Sequence, residues 1–207
     1  MNQTRSHVLR IALLAMLTAV ILVATCLPLQ TLGFEISLAM VPISVGAVLL
    51  GPSGGAILGG IYGIFSFLQC LGFLKPSALG IALYAIQPFY AALTCIVPRI
   101  LCGFLAGVIF SALRKVDKTK LLRYTIACLA CPLLNTLFFM TTLMLLFGQT
   151  DLIQGYMAQL GVYNPFLFVL AFVGINGLVE ALACFFIGTA VAKALDVAAG
   201  KLGMRLA

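Results

Sequence analysis

Apolar residues run through this chain in long unbroken stretches, with few polar interruptions. The stretches reach about 20 residues or more, the length an α-helix needs to cross a bilayer at ~1.5 Å per residue. Strands of a membrane barrel would instead alternate apolar and polar positions over ~10 residues. Breaks fall at "PLQTLGFEIS", at Gly51-Pro52 and at "RKVDKTKLLR". They predict helices over about 8–27, 37–50, 53–72, 96–113, 122–147 and 166–192. The segment 73–95, "FLKPSALGIALYAIQPFYAALTC", is mostly apolar but broken at Pro76, Gly80 and Pro88. The pattern leaves open whether residues 73–113 hold one helix or two.

Composition agrees with the pattern. Of 207 residues, 63% are hydrophobic and 8% charged, with mean hydropathy +1.21. A soluble domain carries about 25% charged residues, so this chain has too little polar surface to coat a globule in water. In lipid every backbone polar group must be satisfied internally, which leaves helices. The expected fold class is an all-α integral membrane protein, a single bundle over 1–207.

Charge then settles the helix count. Cytoplasmic loops carry excess Lys and Arg. With one helix in 73–113, the topology has six spans and both termini cytoplasmic. Arg5, Arg10, Arg114, Lys115, Lys118, Lys120, Arg123, Lys193, Lys201 and Arg205 then share the inner side, against Lys75 and Arg99. A seventh span would put the loop at 114–123 on the same side as Lys75. Residues 73–95 become a long outer loop, expected to pack as a lid over a cavity; a loop lying in the lipid interface is the alternative. The expected location is the bacterial plasma membrane, multi-pass. The N-terminal pattern of Arg5 and Arg10 before an apolar run resembles a secretory signal, but the run is long and no small-x-small cleavage site follows. It is read as a retained first helix.

Seven cysteines lie mostly within or beside the apolar segments. Cys128 and Cys131 form a CxxC, yet no second pair accompanies them and the one histidine is His7. Buried packing residues are expected, with no metal and no cofactor. Small residues recur every four positions: Gly55, Gly59 and Gly63; Gly103 and Gly107; Ala15 and Ala19, with Ala12 one turn earlier. Such faces let helix backbones approach closely, within the chain or against a partner.

Few polar residues interrupt the spans: Asn135, Asn176, Glu180, Arg99 at the start of the fourth helix, and Tyr62. Tyr84 and Gln87 lie in the outer loop. An ionisable group within a span costs a few kcal/mol and faces the bundle interior or a watery cavity. Asn176 and Glu180 share one helical face. Two readings stand: interhelical hydrogen bonding with Glu180 protonated, or the lining of a solute site. Arg99 offers either a cation near the outer mouth or a helix-end residue paired with Glu35 or backbone carbonyls.

"SLAMVPISVGAVLLGPSGGAILGGIYGIFSFL" (37–68), "VPRILCGFLAGVIF" (97–110), "LLNTLFFMTTLMLLFG" (133–148) and "NGLVEALACFFIGTAVAKAL" (176–195) together resemble the substrate-binding S components of energy-coupling factor (ECF) vitamin transporters. The third stretch is most similar to the pantothenate-type members. Riboflavin and folate binders share the scaffold, and Met40 stands where many pantothenate-type relatives have a His. The resemblance implies a vitamin-binding subunit that docks on a membrane coupling subunit carrying two ATPases and topples to release its ligand. It implies that Ala12, Ala15 and Ala19 face that coupling subunit. The polar residues of the spans and outer loop, Asn135, Asn176, Glu180, Arg99, Tyr84, Gln87 and Tyr62, are the expected ligand-binding candidates, with no nucleic-acid partner. The chain contains no GxxxxGK[ST] phosphate loop, so ATP use falls to another chain.

Other classes fit less well. Serine-type intramembrane hydrolysis needs an intramembrane Ser–His pair, and an aspartyl type needs paired intramembrane Asp residues. The spans offer neither. A solitary proton-coupled carrier using Glu180 and a purely structural membrane subunit are the remaining alternatives.

Overall fold

The computed structural model describes residues 3–26, 30–31, 34–35, 38–114, 117 and 121–201. For residues 3–6, 30–31, 34–35, 165, 166, 170, 172, 173, 175, 176 and 201 it describes the backbone alone. Lys115, Lys118, Lys120 and Arg205 therefore lie outside the described residues, as do the side chains of Arg5, Glu35, Asn176 and Lys201.

Among the described residues the elements are helical apart from one short hairpin. Helix α1 spans Gln3–Cys26; β1 (Gln30–Thr31) pairs antiparallel with β2 (Phe34–Glu35). Then follow α2 (Met40–Cys70), α3 (Ala78–Ile86), α4 (Pro88–Leu113), α5 (Leu122–Phe147), α6 (Asp151–Gln159) and α7 (Pro165–Ala183). A π-helical turn, Cys184–Gly188, joins α7 to α8 (Thr189–Lys201). Among the described residues, five helices are long and apolar enough to cross a membrane: His7–Cys26, Met40–Cys70, Pro88–Leu113, Leu122–Phe147 and Gly177–Gly200.

Helix α2 is two legs. Gly51 sits at φ 75°, ψ −169°, outside helical space. It is followed by Pro52, whose missing N–H cannot continue the ladder. A Cβ on Gly55 would lie 2.9 Å from Cβ of Ala47, and one on Gly46 would lie 2.1 Å from Cδ1 of Leu58. In a continuous helix residues eight apart are separated by about 12 Å. The legs 40–50 and 53–70 therefore fold back on each other, with the turn at Gly51-Pro52. The first leg rises only about 16 Å, roughly half the ~30 Å hydrocarbon core, and does not span alone.

The second leg packs antiparallel on α4 through its glycines. A Cβ added to Gly59 would meet the Arg99 carbonyl oxygen at 2.0 Å, and one on Gly55 would meet that of Gly103 at 2.2 Å. The Gly55–Gly59–Gly63 face is thus a contact within the chain. Because backbone atoms cannot yield as a flexible side chain can, Gly59→Ala should destabilise the bundle by about 1–3 kcal/mol. Thermal unfolding in detergent measures this; a midpoint equal to wild type would show that the helices separate without cost.

The bundle has two distinct ends. At one, Nη2 of Arg10 donates to the Leu50 carbonyl (3.2 Å), and Tyr124 Oη donates to Asp196 (2.5 Å). The start of α1, the turn at Gly51, the end of α4, the start of α5 and α8 therefore share this end, with Arg10, Arg114, Arg123 and Lys193. At the other end, α3 and α6 close over a separate apolar cluster that includes Leu83, Met140, Phe147, Ile153 and Phe168.

Two regions differ from the sequence reading. Residues 73–95, expected as a loop, contain α3 and the first two turns of α4. Pro88 occupies the first turn of α4, where its absent N–H would be unpaired anyway, so it starts a helix instead of ending one. Ser77 caps α3, its Oγ accepting from the Gly80 N–H (3.3 Å). Residues 151–159, between predicted helices, form α6, which buries Ile153 and Met157 one turn apart.

Candidate functional site

The interior is layered. Cys102, Cys128, Cys131 and Cys184, each fully buried, come together from α4, α5 and the π turn. Cys131 shares a hydrogen bond with Cys102, and Cys184 lies beside Cys128. Ser44 of α2 and Gly188 close this layer toward the basic end.

One helical turn from the thiols, toward α3 and α6, sits a polar layer. Arg99 is three residues before Cys102, Asn135 four after Cys131, and Glu180 four before Cys184. The helices run so that each step leads toward the α3–α6 end. Glu180 is close enough to Cys184 to act on it electrostatically. Tyr62 enters from α2, its ring 4.9 Å from the Arg99 guanidinium carbon. Phe139 of α5 stacks against the same guanidinium at 5.4 Å, one turn beyond Asn135 on the same face.

Arg99 is the centre of this layer, and its placement corrects the sequence reading. With α4 beginning at Pro88, Arg99 lies roughly 16 Å into the helix, at mid-span and not at the mouth. It is 8% exposed. Its Nη1 donates to the carbonyls of Cys95 (2.7 Å) and Thr94 (3.4 Å). Pro98 explains why a carbonyl is available there: it has no N–H to offer Thr94, four residues back. The contacts described for the guanidinium are the two carbonyls, the rings of Tyr62 and Phe139, and a hydrogen bond to the Tyr62 side chain, all neutral groups. Nε of Arg99 has no hydrogen-bond partner among the described residues, and neither does buried Oδ1 of Asn135. One orphan is a donor on a cation; the other is an acceptor. A bound solute with an anionic group and a hydroxyl or amide would satisfy both, and leaving them unmet costs about 1–3 kcal/mol each.

The remaining candidates distribute unevenly. Tyr84 of α3 packs edge-on to Phe67 (6.0 Å), on the face that covers the bundle end. Gln87 is exposed at the junction of α3 and α4, away from the polar layer. Asn176 lies one turn from Glu180 toward α6, with its side chain outside the described residues. A shallow open groove of about 490 Å³, lined by Val162, Tyr163, Asn164 and Leu167, runs on the surface near α6 and holds none of the predicted residues. Phe139 was missed by sequence reasoning; its signal is its place four residues after Asn135.

On α1, Leu17, Ile21 and Ala24 turn inward. Ala12, Ala15 and Ala19 lie on the opposite, exposed face with Val8, Ile11, Met16, Val20 and Val23. That face is apolar, with small residues at its centre.

The chain matches the family described as "ECF transporter, substrate-specific component" over residues 9–192. It belongs to that family. It is a multi-pass membrane subunit of a transport system, and its class implies a small-molecule substrate and an ECF module as partner. No curated protein matches the chain.

Proposed function

We propose that this S component binds pantothenate and delivers it to an ATP-driven import module in a bacterial plasma membrane. The observation that carries the reading is Arg99: a buried cation whose described contacts are neutral, with an N–H that has no partner among the described residues, at the same level of the bundle as an Asn135 acceptor likewise without one. Pantothenate combines a carboxylate with hydroxyls and an amide, the complement of that pair. A neutral, larger ring system such as riboflavin leaves the Arg99 charge unbalanced. Folate also carries carboxylates, so the choice against it rests on the similarity of residues 133–148 to pantothenate-type members.

In this reading the carboxylate lies at Arg99, with Tyr62 walling the cation. Asn135, Asn176 and Glu180 take the hydroxyl and amide end, with Glu180 protonated or at that end so that it does not repel the acid. Helix α3, with Tyr84 on its face, is the lid. The basic end of the bundle is cytoplasmic, in keeping with the positive-inside rule. Ala12, Ala15 and Ala19 meet the coupling subunit, and two ATPase subunits supply the energy. Protein purified without added vitamin and extracted for mass spectrometry should yield pantothenate. Recovery of riboflavin or folate instead would overturn the assignment.

The site residues carry their own expectation. Asn135→Ala should weaken binding by about 1–3 kcal/mol, roughly 5- to 150-fold. Glu180→Gln should be mild, because the amide keeps a donor and an acceptor, and Glu180→Leu severe. Titration calorimetry on purified variants reads this. Normal affinity in both Asn135→Ala and Glu180→Leu would mean that these residues are interhelical hydrogen-bonding groups only.

A further inference from the structure

We infer that Cys70 and Cys95 form a dithiol that closes to a disulfide and locks the lid helix α3 in place. The two Sγ atoms lie 3.5 Å apart, and both residues are nearly buried. They come from different helices: Cys70 is the last residue of α2, and Cys95 is in the second turn of α4. They stand apart from the central thiol layer and lie on the α3 side of Arg99. The Cys95 carbonyl is the one that holds the Arg99 guanidinium.

The chain path gives the pair its consequence. Everything between these residues is the lid: the turn 71–77, helix α3, the single residue Gln87, and the start of α4. Helix α3 rests directly on Cys70, since a Cβ on Gly80 would stand 2.7 Å from its Sγ. A bond between Cys70 and Cys95 turns that segment into one covalent loop and fixes the gap that α3 bridges. Tying the ends of a segment removes open conformations from it.

The oxidant is a low-molecular-weight disulfide. One thiol, as its thiolate, attacks a sulfur of the reagent, expels one reagent thiolate and leaves a mixed disulfide. The neighbouring thiol loses its proton and attacks the protein-bound sulfur, expelling the second. The two protein thiols lose two electrons and two protons in all, and the reagent disulfide is reduced to two thiols. A lone cysteine stops at the mixed disulfide; an adjacent pair goes on to the internal bond. Cys70 and Cys95 keep 4% and 6% of their surface exposed, whereas the four thiols of the central layer keep none and are screened from the reagent.

The test treats the full chain carrying Cys26→Ser, which removes the exposed thiol, in detergent micelles with 4,4′-dipyridyl disulfide. Expected is a Cys70–Cys95 linked peptide, a chain lighter by two hydrogens per pair, and two pyridinethiones released for each link. In Cys95→Ser, Cys70 should instead keep a pyridyl adduct. Hydrogen–deuterium exchange then reads the lock: amides of α3 should exchange about tenfold more slowly in the linked protein, since opening of that segment is restricted. Separate stable adducts on both cysteines in the chain that keeps the pair, or linkage of Cys102 to Cys131 in preference, would overturn the pairing. Linkage with unchanged α3 exchange would overturn the lock. Neither readout contains a vitamin, so both stand apart from the pantothenate assignment.

Discussion

Arg99→Leu should weaken pantothenate binding roughly 30- to several-thousand-fold while the bundle still folds. A guanidinium at mid-span, held by carbonyls, two rings and the Tyr62 side chain, has given up water for contacts that are neutral among those described. Removing it relieves that burial but leaves the Thr94 carbonyl, which Pro98 cannot pair, without a donor, so stability should fall by no more than about 1–3 kcal/mol. The solute loses the cation that balances its carboxylate. Removing one partner of a buried, hydrogen-bonded charge pair costs about 2–5 kcal/mol, roughly 30- to several-thousand-fold in affinity. Arg99→Lys should fall between, keeping charge but losing the planar fork. Calorimetry and thermal unfolding on the same preparations measure both. A purely structural arginine gives the opposite pattern, with a larger loss of stability and unchanged affinity.

The second large effect falls on transport and spares binding. Ala15→Trp and Ala19→Trp place an indole in the middle of the exposed apolar face of α1. The inward face of α1, with Leu17 and Ile21, is untouched. The isolated protein should fold and bind its vitamin normally. Close approach of a second helix backbone at that face is blocked, because such packing depends on small residues. Uptake by cells carrying the full transporter should fall at least about tenfold, a loss of 1.4 kcal/mol or more in assembly. Co-purification of the coupling subunit and radiolabelled uptake check this. Loss of vitamin binding with an intact complex would place the face inside the bundle.

How far the sequence foretold this arrangement depended on which signals were unambiguous. Gly51-Pro52 was legible as a break because no helical ladder passes through a positive-φ glycine followed by proline. The glycines of α2 and α4 announced close packing, but not with whom; the backbone contacts of Gly55 and Gly59 answer that. Pro88 misled. Proline reads as a stop, yet in a first helical turn it is a start, and the two roles differ only in what precedes it. That misplacement moved Arg99 from mid-span to a mouth. Helix α6 was invisible because its nine residues carry too short an apolar pattern to stand out from a loop. Asn135 and Glu180 were legible because polar groups are conspicuous in apolar spans. Their shared layer was not, since it depends on the relative heights of α4, α5 and α7. Gln87 looked equally suitable as a polar residue in the loop, and packing leaves it at the surface. The pairing of Cys70 with Cys95 has no local sequence signal at all.

The most direct measurement is the structure of the protein with pantothenate bound. The carboxylate should lie within hydrogen-bond distance, about 2.7–3.2 Å, of the Arg99 guanidinium, with a pantothenate hydroxyl or amide N–H donating to Oδ1 of Asn135. Pantothenate seated in the surface groove beside Tyr163, with Arg99 still contacting only its carbonyls, Tyr62 and Phe139, would contradict the account.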